Sequence, residues 1–240
     1  MTKQNKLPGY CFFCENTYDK RGISRHLKSC KARKEAEAAE KGKRERLFQI
    51  RVESPYVSDY WLDIEMAANN TLDGLDSFLR DVWLECCGHL SQFTINDVYY
   101  ISHLDPSSPF GGWRKEHDMN ISLAKTLPMN KKIRYEYDLG STTGLTIKVM
   151  AERQGSLPRG KKVRFLSRNF APAYLCSVCQ KETATWVNVF DYEAGIFCDQ
   201  HAKEHQNWSE GFLPLVNSPR AGVCGYWGTE NEDYRFEKFA

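Results

Sequence analysis

The sequence predicts an α+β protein: a mainly antiparallel sheet with one prominent helix, and a small Cys/His module towards either end. Three observations predict it. Short segments in which apolar and polar residues alternate recur between Leu47 and Leu166, the period of a half-buried strand. One stretch places Leu72, Leu75, Phe78, Leu79, Val82 and Trp83 at helical spacing. Cysteines and histidines concentrate in residues 11–30 and 176–201.

The first module is Tyr10-Cys-Phe-Phe-Cys14, then His26 after eleven residues and Cys30 after three more. A C-x2-C pair fits a tight hairpin turn, and residues four apart share one face of a helix. Four sulfur and nitrogen donors so spaced suit a closed, tetrahedral structural Zn2+ site. Cys11, Cys14, His26 and Cys30 are the expected ligands of a CCHC finger over residues 1–30. It resembles a C2H2-type ββα finger whose last histidine is a cysteine, with one residue fewer than usual between Cys14 and His26. Tyr18 and Ile23 fall where such a finger keeps its small apolar core. The following segment, KARKEAEAAEKGKRERL, favours helix but has no apolar face. Residues 31–46 are therefore expected to be an exposed helical linker. The finger is expected to be held out from the body on this arm, either broken near Gly42 or, as a single helix over residues 23–47, spanning ~37 Å.

The body is expected over residues 47–170. Phe48, Ile50 and Val52 mark a half-buried strand, and Trp61–Met66 a second. Thr71 is the expected N-cap of the prominent helix. Further strands are expected at 91–102, 119–124, 133–138, 145–151 and 161–166. Residues 103–118 are rich in turn formers and read as an exposed loop. Cys176-Ser-Val-Cys179, then Cys198-Asp-Gln-His201 after eighteen residues, read as a zinc ribbon over 171–210, with the strand-like Thr185–Phe190 between the knuckles. His201 is the natural fourth ligand and His205, one helical turn on, its competitor. Residues 211–240 form a turn-rich tail expected to pack on the body. Cys86 and Cys87 have no x2 partner and read as buried thiols. Cys224, in a Gly-flanked turn, is either a small buried residue or a further candidate ligand for the ribbon.

Composition narrows the classes. The chain has 240 residues and a net charge of +2. No apolar run approaches the ~18 residues of a membrane span. An aromatic content of 13% argues against disorder. Nine cysteines, an odd number in a chain of this size, argue against a disulfide framework and for two structural zinc ions in a reducing, cytoplasmic compartment. The opening residues lack the apolar stretch of a secretory leader, so none is expected.

The order strand, strand, helix, followed by His89-Leu-Ser-Gln-Phe-Thr-Ile and by Tyr135-Glu-Tyr-Asp-Leu-Gly, carries a resemblance. So does the tail Asn217-Ser-Pro-Arg-Ala-Gly-Val-Cys-Gly-Tyr226. Residues 47–228 resemble the plasmid pRiA open-reading-frame-three-like family, whose members include insertion-element passenger and TnpR-like proteins, in its zinc-bearing branch. Many members carry an acidic residue and a tryptophan after the Asp-x-Gly; this chain has Ser141-Thr-Thr-Gly144 there. The resemblance implies an α+β fold and an association with mobile elements, and no established reaction.

The small net charge conceals an asymmetry. Residues 1–47 hold thirteen Lys and Arg against six Asp and Glu, a net +7, and the remainder carries −5. Lys20, Arg21, Arg25, Lys28, Lys31, Arg33 and Lys34 cluster around the finger's helix and the start of the linker. They are the candidate nucleic-acid contacts, an electrostatic footprint suited to phosphates of DNA, RNA or a ribonucleoprotein. One finger reads only ~3 bp, so little sequence specificity is expected. A second expectation is an interaction adaptor, with a protein partner held on the acidic body and Phe110 and Trp113 as anchors. A third is an enzyme using His89, His103, Asp105, His117, Asp118, Glu136 or Asp138. No nucleophile, metal-hydrolase or phosphate-loop motif accompanies them.

Overall fold

A computed structural model describes residues 7–103, 116–190, 195–206, 208 and 210–235. Asp105, Phe110 and Trp113 lie outside these residues. The fold is mixed α and β, mostly sheet with few and short helices. It divides into two compact units, Met1–Phe78 with Leu90–Asn169, and Leu79–His89 with Phe170–Ala240.

The first unit is built on one ten-stranded sheet. Its strands are β1 (Gly9–Cys11), β2 (Thr17–Tyr18), β3 (Glu45–Glu53), β4 (Trp61–Ala67), β5 (Ser91–Ile95), β6 (Val98–Ile101), β7 (Glu116–Asp118), β8 (Ile133–Tyr137), β9 (Thr143–Gly155) and β10 (Val163–Asn169). They lie in the order β2-β1-β10-β4-β3-β9-β8-β5-β6-β7. All neighbours are antiparallel except β6 and β7. The helices are α1 (Lys20–Ser29), α2 (Lys31–Ala38), α3 (Leu72–Leu79) and α4 (Leu123–Thr126).

Alternation along the strands creates two unlike faces. On one, Ile50 pairs with Ile64 and Val149, and Tyr135 with Phe93 and Leu145. This face is apolar and receives α3. Phe78 packs against Phe165 with tilted rings 5.6 Å apart, and Tyr135 donates its hydroxyl hydrogen to Asp76 at 2.7 Å. Thr71 caps α3 as expected, its Oγ1 accepting from the amide of Gly74 at 3.0 Å. The opposite face carries Gln49, Arg51, Asp63, Glu65, Arg153 and Ser167, and it is buried as well. Strand β3, expected to be half-buried, is therefore covered on both sides.

What covers the polar face is the N-terminal segment. Strand β1 pairs with β10, Gly9 against Asn169, so the finger's hairpin is the edge of the main sheet. Ile23, Leu27, Cys11 and Cys30 close over Trp61 and Leu166. The chain turns at Cys30 (φ −58°, ψ 117°), and α2 ends at Ala38. The continuous helix over 23–47 and the finger held out on an arm are thus not what the chain forms. The reason is ionic. Arg33 in α2 is buried; it donates to Glu65 at 2.8 Å, Gln49 at 3.1 Å and Glu37 at 2.7 Å. Arg153 donates to Glu65 at 2.7 Å and to Glu40 at 2.7 Å, and Arg164 donates to Glu40 at 2.7 Å. A composition that suits solvent here suits a largely buried network of alternating charge, because each cation meets two or more carboxylates.

Glu40 shows the strength of that field. Burial pushes its carboxyl up, but the Arg153 guanidinium, the Ser156 amide and Arg164 outweigh it and hold it down at about 2. A depressed carboxylate contributes stability above its ordinary value of 4.5 that disappears as pH falls towards the folded value. Glu40→Gln is therefore expected to cost about 3 kcal/mol at pH 6. The gap to the wild type should close between pH 4.5 and pH 2. Urea unfolding of the two proteins side by side measures it, and a gap independent of pH would refute this role.

Two further differences are local. Segment 91–102 is a hairpin, β5 and β6, because Asn96 (φ 50°) and Asp97 (φ 62°) both take the left-handed conformation of a tight turn. Segment 119–124, expected as a strand, makes only a bridge from Ser122 to Thr71 before α4 begins.

The second unit holds a three-stranded sheet, β12-β11-β13, of β11 (Trp186–Asn188), β12 (Ile196–Phe197) and β13 (Phe212–Pro214), with α5 (Asp199–Lys203). Phe197, Ala202 and Phe212 form its small core, with Trp186 and Trp208 against it. A π-helical turn (Arg80–Leu84) continues directly from α3.

Candidate metal centres

Cys11 ends β1 and its amide donates to Asn16 O at 3.1 Å. Glu15 takes a left-handed turn (φ 58°), its amide donating back to Cys11 O at 2.8 Å, and this reversal presents Cys14 beside Cys11. Asp19 then caps α1. His26 and Cys30 follow on one helix face, with Tyr18 stacked on the His26 ring at 4.1 Å. Cys14 Sγ is 3.2 Å from His26 Nε2, and Cys11 Sγ is 3.9 Å from Cys30 Sγ. All four donor atoms lie within 4.8 Å of one another. Burial pushes the Cys11 thiol up to about 12. Cys11, at 0% exposure, meets no cationic side chain within the group, so a bound cation is what would make its thiolate tenable.

The second group assembles in the ribbon. Gln180 (φ 52°) turns the chain so that its amide donates to Cys176 O at 2.9 Å, and the Ser177 amide ties this knuckle to Ile196 O at 2.8 Å. Cys198 stands at the N-terminus of α5, which carries His201. His201 Nδ1 is 3.1 Å from Cys198 Sγ and 3.7 Å from Cys176 Sγ. Cys179 completes the set. Burial pushes the Cys176 thiol up, but amides of Cys179, Cys198 and Val178 outweigh it and bring it down to about 6. His201 lies within the group, and His205 does not. His205 stacks edge-on against Phe197 and Phe212, both at 5.3 Å, and belongs to the small core.

A tetrahedral ion with Zn–S near ~2.3 Å and Zn–N near ~2.0–2.1 Å sets sulfurs ~3.8 Å apart and sulfur and nitrogen ~3.5 Å apart. Both groups lie close to these separations, and each offers three thiols and one imidazole.

A third group was not expected as a unit. Cys86, Cys87, His89 and Cys224 also bring their donor atoms within 4.8 Å of one another. Cys87 and Cys224 are exposed, not buried, and Cys224 does not approach the ribbon group. His89 beside Cys224 draws that thiol down to about 7. The available signals were the adjacent Cys-Cys-Gly-His and a lone cysteine between turn-forming glycines, separated by more than a hundred residues of sequence.

The seven basic candidates separate by environment. Arg21, Arg25, Lys28, Lys31 and Lys34 are exposed. Lys20 is paired with Glu53 at 3.0 Å, and Arg33 is buried on Glu65. These two are committed to the fold and leave the candidate interface. Lys3 and Lys6, part of the N-terminal charge excess, lie outside the described residues. Two of the carboxylates considered for catalysis are engaged locally. Glu136 accepts from Gln92 at 2.7 Å and pairs with Arg134. Asp138 caps its own turn, accepting from the amides of Gly140 at 3.0 Å and Ser141 at 3.1 Å.

The chain is thus a mixed α/β protein with, among the described residues, three Cys3His groups able to hold metal ions. No family model and no curated protein matches it. One solved structure that resembles it, a protein of unknown function from Methanosarcina mazei Go1, aligns over 51% of this chain and 67% of its own at 15% identity, with a TM-score of 0.41. Among the described residues no helix is long and apolar enough to cross a membrane.

Proposed function

We propose that the chain is a zinc protein that contacts nucleic acid, or the RNA of a ribonucleoprotein, through the exposed face of its CCHC finger and the helix after it. The observation that carries this reading is the stripe Arg21, Arg25 and Lys28 along α1, continued by Lys31 and Lys34 on α2. All five are exposed. Positions i, i+4 and i+7 share one helical face, so the charges add along a line that a phosphate backbone can follow. Zinc in the finger group would fix α1, which carries His26 and ends at Cys30, and so the start of the stripe. Nine free thiols support a cytoplasmic setting. The likeness of residues 47–228 to the pRiA open-reading-frame-three-like family adds an association with mobile elements to the proposal.

Deleting residues 1–47 is not a usable test, because it removes β1 and the buried Arg33. Surface reversal is. The full chain is titrated with a fluorescent 20-bp duplex and with a single-stranded RNA of equal length, from 50 to 300 mM salt. Log K is expected to fall linearly with log[salt]. Arg25→Glu with Lys28→Glu should lower the slope by about two. A flat salt dependence, or a double variant that binds both probes like the wild type, would sink the reading.

A further inference from the structure

We propose that Cys86, Cys87, His89 and Cys224 form a third zinc site, and that it exchanges its ion faster than the finger and ribbon sites. Cys87 Sγ is 3.7 Å from Cys224 Sγ, and Cys224 Sγ is 3.5 Å from His89 Nε2. Tetrahedral zinc calls for ~3.8 Å and ~3.5 Å at such pairs. The sulfur pair is far from the ~2.05 Å of a disulfide. Three thiols and an imidazole also favour zinc over the oxygen-seeking divalent ions.

The backbone on both sides is shaped to bring these donors together. Gly88 (φ +69°) reverses the chain between Cys87 and His89, and its amide donates to Glu85 Oε1 at 2.6 Å. Arg80 braces both ends of that turn, donating to Glu85 at 2.8 Å and to His89 O at 2.7 Å. From the tail, Ser218 donates to Trp83 O at 2.7 Å, and fully buried Arg220 reaches Cys86 Sγ at 3.4 Å. Cys224 itself is held in the left-handed conformation (φ 56°), disfavoured for a residue with a Cβ. Strain of this kind persists where neighbouring structure over-determines a residue, as at a ligand clamp. A π-helical turn immediately before the group is a further mark of functional backbone.

The exchange order follows from access. Cys11, Cys30, Cys176 and Cys198 are buried, whereas Cys87 and Cys224 face solvent. A competing chelator meets these sulfurs without any opening of the fold.

The full chain, purified with reductant and zinc and freed of excess metal, is assayed by elemental mass spectrometry and by release to a zinc-sensitive chromophore. Three zinc ions per chain are expected. Cys224→Ser and His89→Asn should each hold two, with an unchanged far-ultraviolet spectrum. The ion missing from the variants should be the first that the wild type releases, in a resolved fast phase. Two ions in the fully reduced wild type, or three in both variants, overturn the site. Three ions lost in one phase overturn the exchange order. If a variant fails to fold, wild-type stoichiometry and the release phases still decide, and Cys87→Ala at an exposed position supplies a second variant.

Discussion

Stripping zinc from the Cys11, Cys14, His26 and Cys30 group is expected to loosen the main sheet, not only the finger. Cys11 and Cys30 belong to the same packed cluster as Trp61 and Leu166, and β1 is hydrogen-bonded to β10. Ligation in isolated finger peptides is worth ~10–16 kcal/mol apparent. If only about 3 kcal/mol of that is felt by the rest of the sheet, the midpoint temperature of a unit this size falls by about 6–12 °C. Cys30→Ala, which removes one ligand without adding a polar atom, should do the same at saturating zinc. Hydrogen exchange locates the effect. Amides of β1, β10 and β4 should lose protection together, while those of β11–β13 keep theirs. Unchanged protection in β10 and β4 after loss of this ion would show that the finger is only appended to the sheet.

Glu65→Gln is the second large effect. Glu65 is 1% exposed and is shared by Arg33 and Arg153. Gln keeps the shape and one acceptor, so the change removes charge with little change of volume. Buried Arg33 and partly buried Arg153 then lose their common counter-charge, and breaking such a buried pair costs about 3–5 kcal/mol. The exposed pair Arg46–Glu152 is the control. Its side chains are 45% and 44% exposed, and Glu152→Gln should cost under about 1 kcal/mol. Urea unfolding at pH 7 compares them. Equal, small losses for both variants would mean that water reaches Glu65 and that the network is not dry.

The candidate metal ligands were legible in sequence where two donor pairs lie close together, because a C-x2-C knuckle and an i, i+4 pair are local geometries. Cys86 and Cys224 are not linked by any local rule. Only the folded path of the tail, held by Ser218 and Arg220, places one beside the other. The same limit applies to the arm. Lys, Arg, Glu and Ala in residues 31–41 satisfy a solvated helix and a buried ion network equally well, and composition does not separate them. What decides is Glu65 and Arg153 on other strands, whose charges read as ordinary strand polarity until the finger covers them. The α+β class and the strands 47–53 and 133–138 were visible because alternation is a property of the strand itself. The number of strands and their order were not, since β1 and β10 pair across most of the unit's length.

That last pairing has a consequence for how the molecule is made. Gly9 faces Asn169, so the sheet's first strand leaves the ribosome well before its partner exists. At ~5–20 residues per second the interval is roughly 8–30 s. Throughout it, β1 has β2 on one side and an open edge on the other, the situation in which nascent chains mispair. The four donors Cys11, Cys14, His26 and Cys30 all lie within the first thirty residues, so zinc bound there would close the hairpin without waiting for the rest of the sheet. An ion held there would act during synthesis as a temporary guard on that open side, holding the hairpin in the shape that β10 later meets.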